Sequence, residues 1–160
     1  KICAPILPDK IWMNYLHTIS TKPTLFFKTD TLQDKLLESG GWCTPESWGA
    51  WSCSTSPELL FRNPKRHTPS SLTLRLKALV SPEHKTQNVH ISINGVNLGF
   101  WTLSKWNDNT IKIPLKGLQL DKDLVRIQFD LPDAIEPKKI NLGSQDDRMI
   151  AIGIESVSWN

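Results

Sequence analysis

Three of the seven tryptophans crowd into residues 42–51 as Trp42, Trp48 and Trp51, with Glu46 among them and Pro45 fixing the backbone beside it. A flat indole offers its face to the C–H side of a sugar ring, and a nearby carboxylate, amide or guanidinium can hydrogen-bond the hydroxyls. An apolar floor with a few polar prongs is the general recipe for a ligand site. The competing expectation is that at least two of these three indoles fill the core. Burying one is worth roughly 3 kcal/mol or more at about 25 cal/mol per Å². Trp106 lies in a polar turn, Lys105-Trp106-Asn107-Asp108-Asn109, flanked by Phe100 and Trp101. It is the Trp expected to be most exposed and is a second stacking candidate. Glu46 and Arg148 are the remaining polar candidates, and an Arg fork matches a carboxylate bidentately. If they meet, they are expected to brace two ends of the fold rather than to touch a ligand.

Other chemistries fit less well. Glu46 and Glu58 are the obvious carboxylate pair for glycoside hydrolysis. However, Glu58 opens an apolar run, Leu59-Leu60-Phe61, and no Ser or His sits in a nucleophile-elbow context. Cys43 lacks a nearby His to activate it. His17, His67, His84 and His90 are too scattered for zinc, and His90 reads as a solvated strand residue. Asp146 and Asp147, with Asp133 or Glu136, could supply oxygen ligands to a structural Ca²⁺, but lack the dense acid spacing of a dedicated loop. No cofactor is expected. Cys3, Cys43 and Cys53 are odd in number. Cys43 and Cys53 could pair only if a bend brings their Cα atoms within about 7 Å, and spacing alone favours free, partly buried thiols.

The elements that must position these residues are strands. The 160 residues suit one domain with a full core. Hydrophobic content of 39% argues against disorder, and no apolar run approaches the ~20 residues of a bilayer span. A net charge of +3, with acids and bases interspersed, gives no basic stripe for nucleic acid. The chain opens at Lys1 without a signal-peptide pattern, and is read as a domain cut from a larger protein. From residue 70 onward the hydrophobic period is two. Leu72, Leu74, Leu76, Ala78 and Val80 alternate with polar residues, as do Val89, Ile91 and Ile93, then Ile111, Ile113 and Leu115, then Val125, Ile127, Phe129 and Leu131. Asn94-Gly95 is the pair a type I′ hairpin prefers. A last strand starts at Ile150 and shifts faces near Ser156. Many strands with turn punctuation predict an all-β, antiparallel, jelly-roll-like sandwich over residues 23–160. A short strand is expected from Thr24 to residue 28, then a helix over 30–39 capped by Asp30 and stopped by Gly40-Gly41. Residues 1–22 are expected to be a short helical lead-in, with Ile11, Trp12, Tyr15, Leu16 and Ile19 on one face.

The stretch Gly41-Trp42-x-x-Pro45-Glu46-x-Trp48-Gly49-x-Trp51-Ser52 resembles the "GW..PE.WG.WS" signature of a β-sandwich accessory domain attached to bacterial cell-surface glycosyltransferases and phosphoglycerol transferases. Leu131-Pro132-Asp133-Ala134, Pro137, Asp147-Arg148 and the run from Ile152 to Val157 are similar to its closing motif. The resemblance covers residues 24–159. Cys43, Cys53 and Ala151 depart from the family pattern. The resemblance implies a non-catalytic, carbohydrate-binding domain of a polysaccharide-biosynthesis enzyme in the bacterial cell envelope. Its implied partners are a glycan or oligosaccharide and a parent catalytic domain. Periplasm is favoured by the phosphoglycerol-transferase relatives and the cytoplasmic face by the glycosyltransferase ones. The alternative is a structural module that packs on its parent enzyme or a partner. No catalytic residue is implied.

Overall fold

The computed structural model describes residues 13–27 and 31–160. Asp30, Cys3, Ile11 and Trp12 lie outside the described residues, so neither the expected helix cap nor most of the lead-in face can be placed. Two five-stranded sheets pack face to face. The first has the order β1 (His17–Thr18), β4 (Glu58–Arg62), β9 (Leu124–Asp130), β6 (Gln87–Ile93), β7 (Val96–Leu103). The second runs β2 (Thr24–Leu25), β10 (Ile152–Trp159), β5 (Ser71–Ala78), β8 (Asn109–Pro114), with β3 (Ala50–Trp51) also paired to β10. All pairings are antiparallel except β1 with β4. The expected β-sandwich is therefore the observed fold.

The alternation explains the layering. Leu72, Leu74, Leu76 and Ala78 point inward from β5 against Val89, Ile91 and Ile93 of β6, Val125, Ile127 and Phe129 of β9, and Ile152, Ile154 and Val157 of β10. Burial of this apolar set is the main driving force for closing the two layers. Asn94 and Gly95 take φ of 46° and 82°, the left-handed pair that a two-residue β6–β7 turn demands. The register of β10 on β5 slips between Ile154 and Ser156, a bulge at the expected face shift.

The lead-in differs from expectation, while the helix falls where it is expected. Residues Met13–Tyr15 form one 3₁₀ turn, and the chain then enters β1, so the described part of the lead-in is helical only there. His17 and Thr18 pair with Phe61 and Arg62, and backbone pairing of an edge overrides the weak helical period. The helix α1 spans Thr31–Ser39 and ends where Gly40 N–H donates to the Leu36 and Leu37 carbonyls.

The cysteine expectation is corrected. Cys43 and Cys53 form a disulfide, with Cα atoms 5.1 Å apart. Residues 42–52 fold back as a hairpin around Ser47-Trp48. Trp42 faces Ser52, Glu46 faces Gly49, and Glu46 N–H donates to the Gly49 carbonyl at 2.7 Å. That bend brings the two thiols across from each other. With a sequence separation of 10, closing this loop should contribute about 3 kcal/mol by chain entropy. Replacing both cysteines by alanine should lower the thermal midpoint by about 6–12 °C. An unchanged melt for that variant would mean the unfolded chain is not constrained by the bridge.

Candidate functional site

The hairpin is laid across β10 by backbone and side-chain bonds. Ser52 N–H donates to the Ile152 carbonyl at 2.7 Å, while its buried Oγ accepts from the amides of Ala151 and Ile152, both at 3.1 Å. Trp51 pairs with Gly153 in the same row in which Gly153 pairs with Lys77 of β5. Gly153 leaves a gap on the outer face, and Trp48, at the hairpin tip, fills it. A Cβ at Gly153 would come within 2.5 Å of Trp48 Cη2 and 3.2 Å of Trp51 Cε3. Lys77 Nζ lies 5.0 Å from the centre of the Trp48 ring, a cation–π contact.

Trp106 reaches the same place from the β7–β8 turn. The buried Asn109 clamps that turn, donating from Nδ2 to the Lys105 carbonyl at 2.7 Å and the Leu76 carbonyl at 3.2 Å. Ala78 N–H donates to the Trp106 carbonyl. The three indoles form an edge-to-face series. Trp48 and Trp51 centroids are 5.0 Å apart at 71°, and Trp51 and Trp106 are 5.7 Å apart at 72°. Trp51 is the buried hinge of the series at 9% exposed, Trp48 is half-buried, and Trp106 is 38% exposed. Around them Lys77 Nζ donates to Asn107 Oδ1 and lies 3.8 Å from Glu155. The patch thus carries aromatic surface ringed by an ammonium, an amide and a carboxylate.

Not every expected site residue belongs to it. Trp42 is a core residue, 2% exposed, packed edge-on against Phe129 at 5.5 Å and donating from Nε1 to the Glu58 carbonyl at 2.9 Å. It sits in the hairpin arm that faces the sheet interior, so it offers no surface to a ligand. Arg148 does not pair with Glu46. Its fork is spent on Asp146, with Nη2–Oδ2 at 2.6 Å and Nε at 3.0 Å. That bond holds the Asp146 carboxyl below, and the Arg148 guanidinium above, their ordinary pKa values; Glu46 adds only a lesser electrostatic pull on Arg148. Glu46 is exposed beside the hairpin turn.

The other candidates are committed elsewhere. Glu58 pairs with Arg126 at 3.4 Å on the opposite sheet from the hairpin. Asp133 Oδ2 accepts from the Asn88 amide at 2.9 Å, and Glu136 lies 2.9 Å from Lys139. With Asp146 taken by Arg148, the calcium candidates do not converge, and no group of three His, Cys, Asp or Glu is clustered among the described residues. Lys77, Asn107 and Glu155 were missed from sequence. Lys77 follows Arg75 by two on the outer face of β5, and that period is the one signal that could have placed it beside Gly153.

Antiparallel sandwich topology and a series of three indoles, two carried by a stapled hairpin and one by the β7–β8 turn, define this protein as an all-β domain with an aromatic surface patch. The chain belongs to the family described as "Domain of unknown function (DUF7024)", which matches over residues 17–159. No curated protein matches. Among solved structures, one similar chain is "Carbohydrate-Binding Module CBM36 in complex with calcium and xylotriose" (12% identity, 70% of this chain and 80% of that chain, TM-score 0.40). A second is the CBM36-1 domain of a multidomain xylanase from the hindgut metagenome of Trinervitermes trinervoides (11% identity, 78% and 92%, TM-score 0.43). A third is the non-crystalline cellulose specific carbohydrate-binding module CBM28 (14% identity, 91% and 98%, TM-score 0.44).

Proposed function

We propose that this domain binds glycan without catalysis, on the patch formed by Trp48 and Trp106. The observation that carries this reading is the exposure of Trp106 beside a half-buried Trp48, both braced by the buried Trp51 and ringed by Lys77, Asn107 and Glu155. The indole faces take the C–H side of sugar rings, while the polar groups exchange hydrogen bonds with hydroxyls. Because Trp48 is seated in the Gly153 gap, the platform is preorganised, and little rotamer freedom is lost on binding. Binding by a single module is expected at millimolar to high micromolar dissociation constants, roughly −4 to −6 kcal/mol. Tethering to a glycan-assembly transferase would raise the effective glycan concentration at that enzyme. The disulfide suits an oxidising compartment, and we place the domain on the periplasmic side of a bacterial envelope.

Trp106→Ala should weaken binding of bacterial surface oligosaccharides about ten- to thirtyfold while lowering the melt far less than a core truncation, since Trp106 is among the exposed large side chains and its indole packs edge-on against Trp51. The check is a titration followed by the indole N–H resonances of Trp48 and Trp106. If no glycan in a broad panel moves either resonance, the reading fails.

The alternative reading, a module that packs on its parent enzyme or a partner, draws on another face. Tyr15, Leu25 and Phe27 are exposed around an apolar cleft floored by Leu37 and Leu59. If the aromatic patch gives no response, co-purification with the parent catalytic domain, lost in Leu25→Glu, would favour that reading instead.

A further inference from the structure

Strand alternation gathers charge on the outer face of the second sheet. Among the described residues, its strands carry four charged side chains: the cations Arg75 and Lys77 of β5 and Lys112 of β8, and the acid Glu155 of β10. In the sequence these cations are interspersed with apolar residues. In the sheet Leu74, Leu76, Ile111 and Ile113 turn into the core, and the cations turn out together. Arg75 faces Thr110 and Thr73 faces Lys112 across β5 and β8, so Arg75 and Lys112 are diagonal neighbours, about 7–8 Å apart along the backbone. Both residues are exposed.

The strip they form begins at the indoles. Lys77 lies in the Gly153 row beside Trp48, then Arg75 follows, then the row of Thr73 and Lys112, a run of about 13 Å along β5. Charge is uneven along it. At the indole end Lys77 is shared among Asn107, Glu155 and the Trp48 ring, and the adjoining turn carries one base, Lys105, and one acid, Asp108. That end is therefore close to neutral. Further along, Arg75 has Ser156 and Thr110 as its cross-strand neighbours and Lys112 has Thr73, so the two cations stand among hydroxyls. Glu46 rides on the hairpin, across β10 from β5.

We infer that the glycan bound on this face is acidic: the indole end takes a sugar ring, and Arg75 with Lys112 takes a carboxylate or phosphate carried by a sugar further along the same chain. This rests on the reading of the Trp48 and Trp106 patch as a glycan floor. The Arg75 fork matches either anion bidentately, and Lys112 adds a point charge beside it. The hydroxyls of Thr73 and Thr110 lie between them for the sugar itself. A single-stranded nucleic acid fits less well, because each base stacked at the indole end would bring a phosphate toward Glu155.

The test compares trigalacturonate with its methyl ester, the same sugar skeleton without charge, and phosphomannan oligosaccharides before and after phosphatase treatment. Binding is followed at the Trp106 indole N–H and the Arg75 Nε–H resonances of ¹⁵N-labelled protein. The acidic form of at least one pair is expected to shift both resonances and to bind about five- to tenfold more tightly than its neutral counterpart. Raising NaCl from roughly 20 to roughly 300 mM should erase most of that preference. Arg75→Gln combined with Lys112→Gln, both at exposed positions, should abolish it while leaving the melt and the affinity for the neutral form unchanged. Arg75→Lys combined with Lys112→Arg should retain it. The pair that shows the preference identifies the anion as carboxylate or phosphate. Equal binding of charged and neutral forms in both pairs, with Trp106 responding, overturns this inference and leaves the glycan reading standing. A preference that survives the double glutamine variant overturns it as well. So does tighter binding of oligothymidylate through the same two cations, which would assign the strip to nucleic acid. If none of the four carbohydrate probes moves Trp106 at roughly 10 mM, the inference fails, and the patch reading then stands or falls on the wider glycan panel.

Discussion

Gly49→Ala should cost the protein about 3–5 kcal/mol of stability, more than most single substitutions. Gly49 closes the hairpin turn at φ 149°, in a region that only glycine occupies without strain, and an added Cβ would overlap the Ile154 backbone carbonyl. Neither obstacle can relax alone. Swinging the φ to an ordinary value would unmake the Glu46–Gly49 turn, and retreating from Ile154 would strip β3 from β10. Backbone strain and overpacking, each about 1–3 kcal/mol, therefore add. Urea unfolding should show the midpoint falling with little change in slope. A loss below about 1 kcal/mol would mean that the hairpin does not rest on β10.

Trp42→Ala should cost about 4 kcal/mol, for a different reason. It empties a large volume between the hairpin and Phe129, and leaves the Glu58 carbonyl without its indole donor. Trp42→Phe should keep most of the packing and lose about 1–2 kcal/mol, chiefly the hydrogen bond. Among molecules that remain folded, glycan binding should be unchanged in either variant. That outcome separates Trp42 from Trp106, whose loss is expected to do the reverse. If Trp42→Phe weakened binding while leaving the melt intact, the assignment of Trp42 to the core would be wrong.

The contrast between these two tryptophans marks how far the sequence could be read. The sandwich was legible because β5, β6, β8 and β9 each bury one face, which writes itself as alternation in residues 72–78, 89–93, 111–115 and 125–131. The turn at Asn94-Gly95 and the face shift near Ser156 were legible because backbone geometry restricts residue choice there. Within the Trp-rich segment the three indoles look alike as residue types. What sorts them is the hairpin. Trp42 is on an arm, Trp51 is in β3, and Trp48 is in the two-residue turn itself. The same hairpin sets Cys43 and Cys53 almost symmetrically about Ser47-Trp48, so the pairing follows once the turn is recognised. Arg148 was misplaced because a local partner two residues away outcompetes a distant one.

The dependence of the hairpin on β10 also bears on how the molecule is made. Ser52 finds its two amide donors 99 and 100 residues downstream, and the central strand of the second sheet is the last to be synthesised. Until β10 emerges, the hairpin can form and oxidise locally, but β5 and β2 have no strand between them. Such high contact order predicts slow folding, on the millisecond-to-second scale of β-sandwiches. It also predicts that the indole patch appears only in the final step, when the last strand zips between two waiting edges.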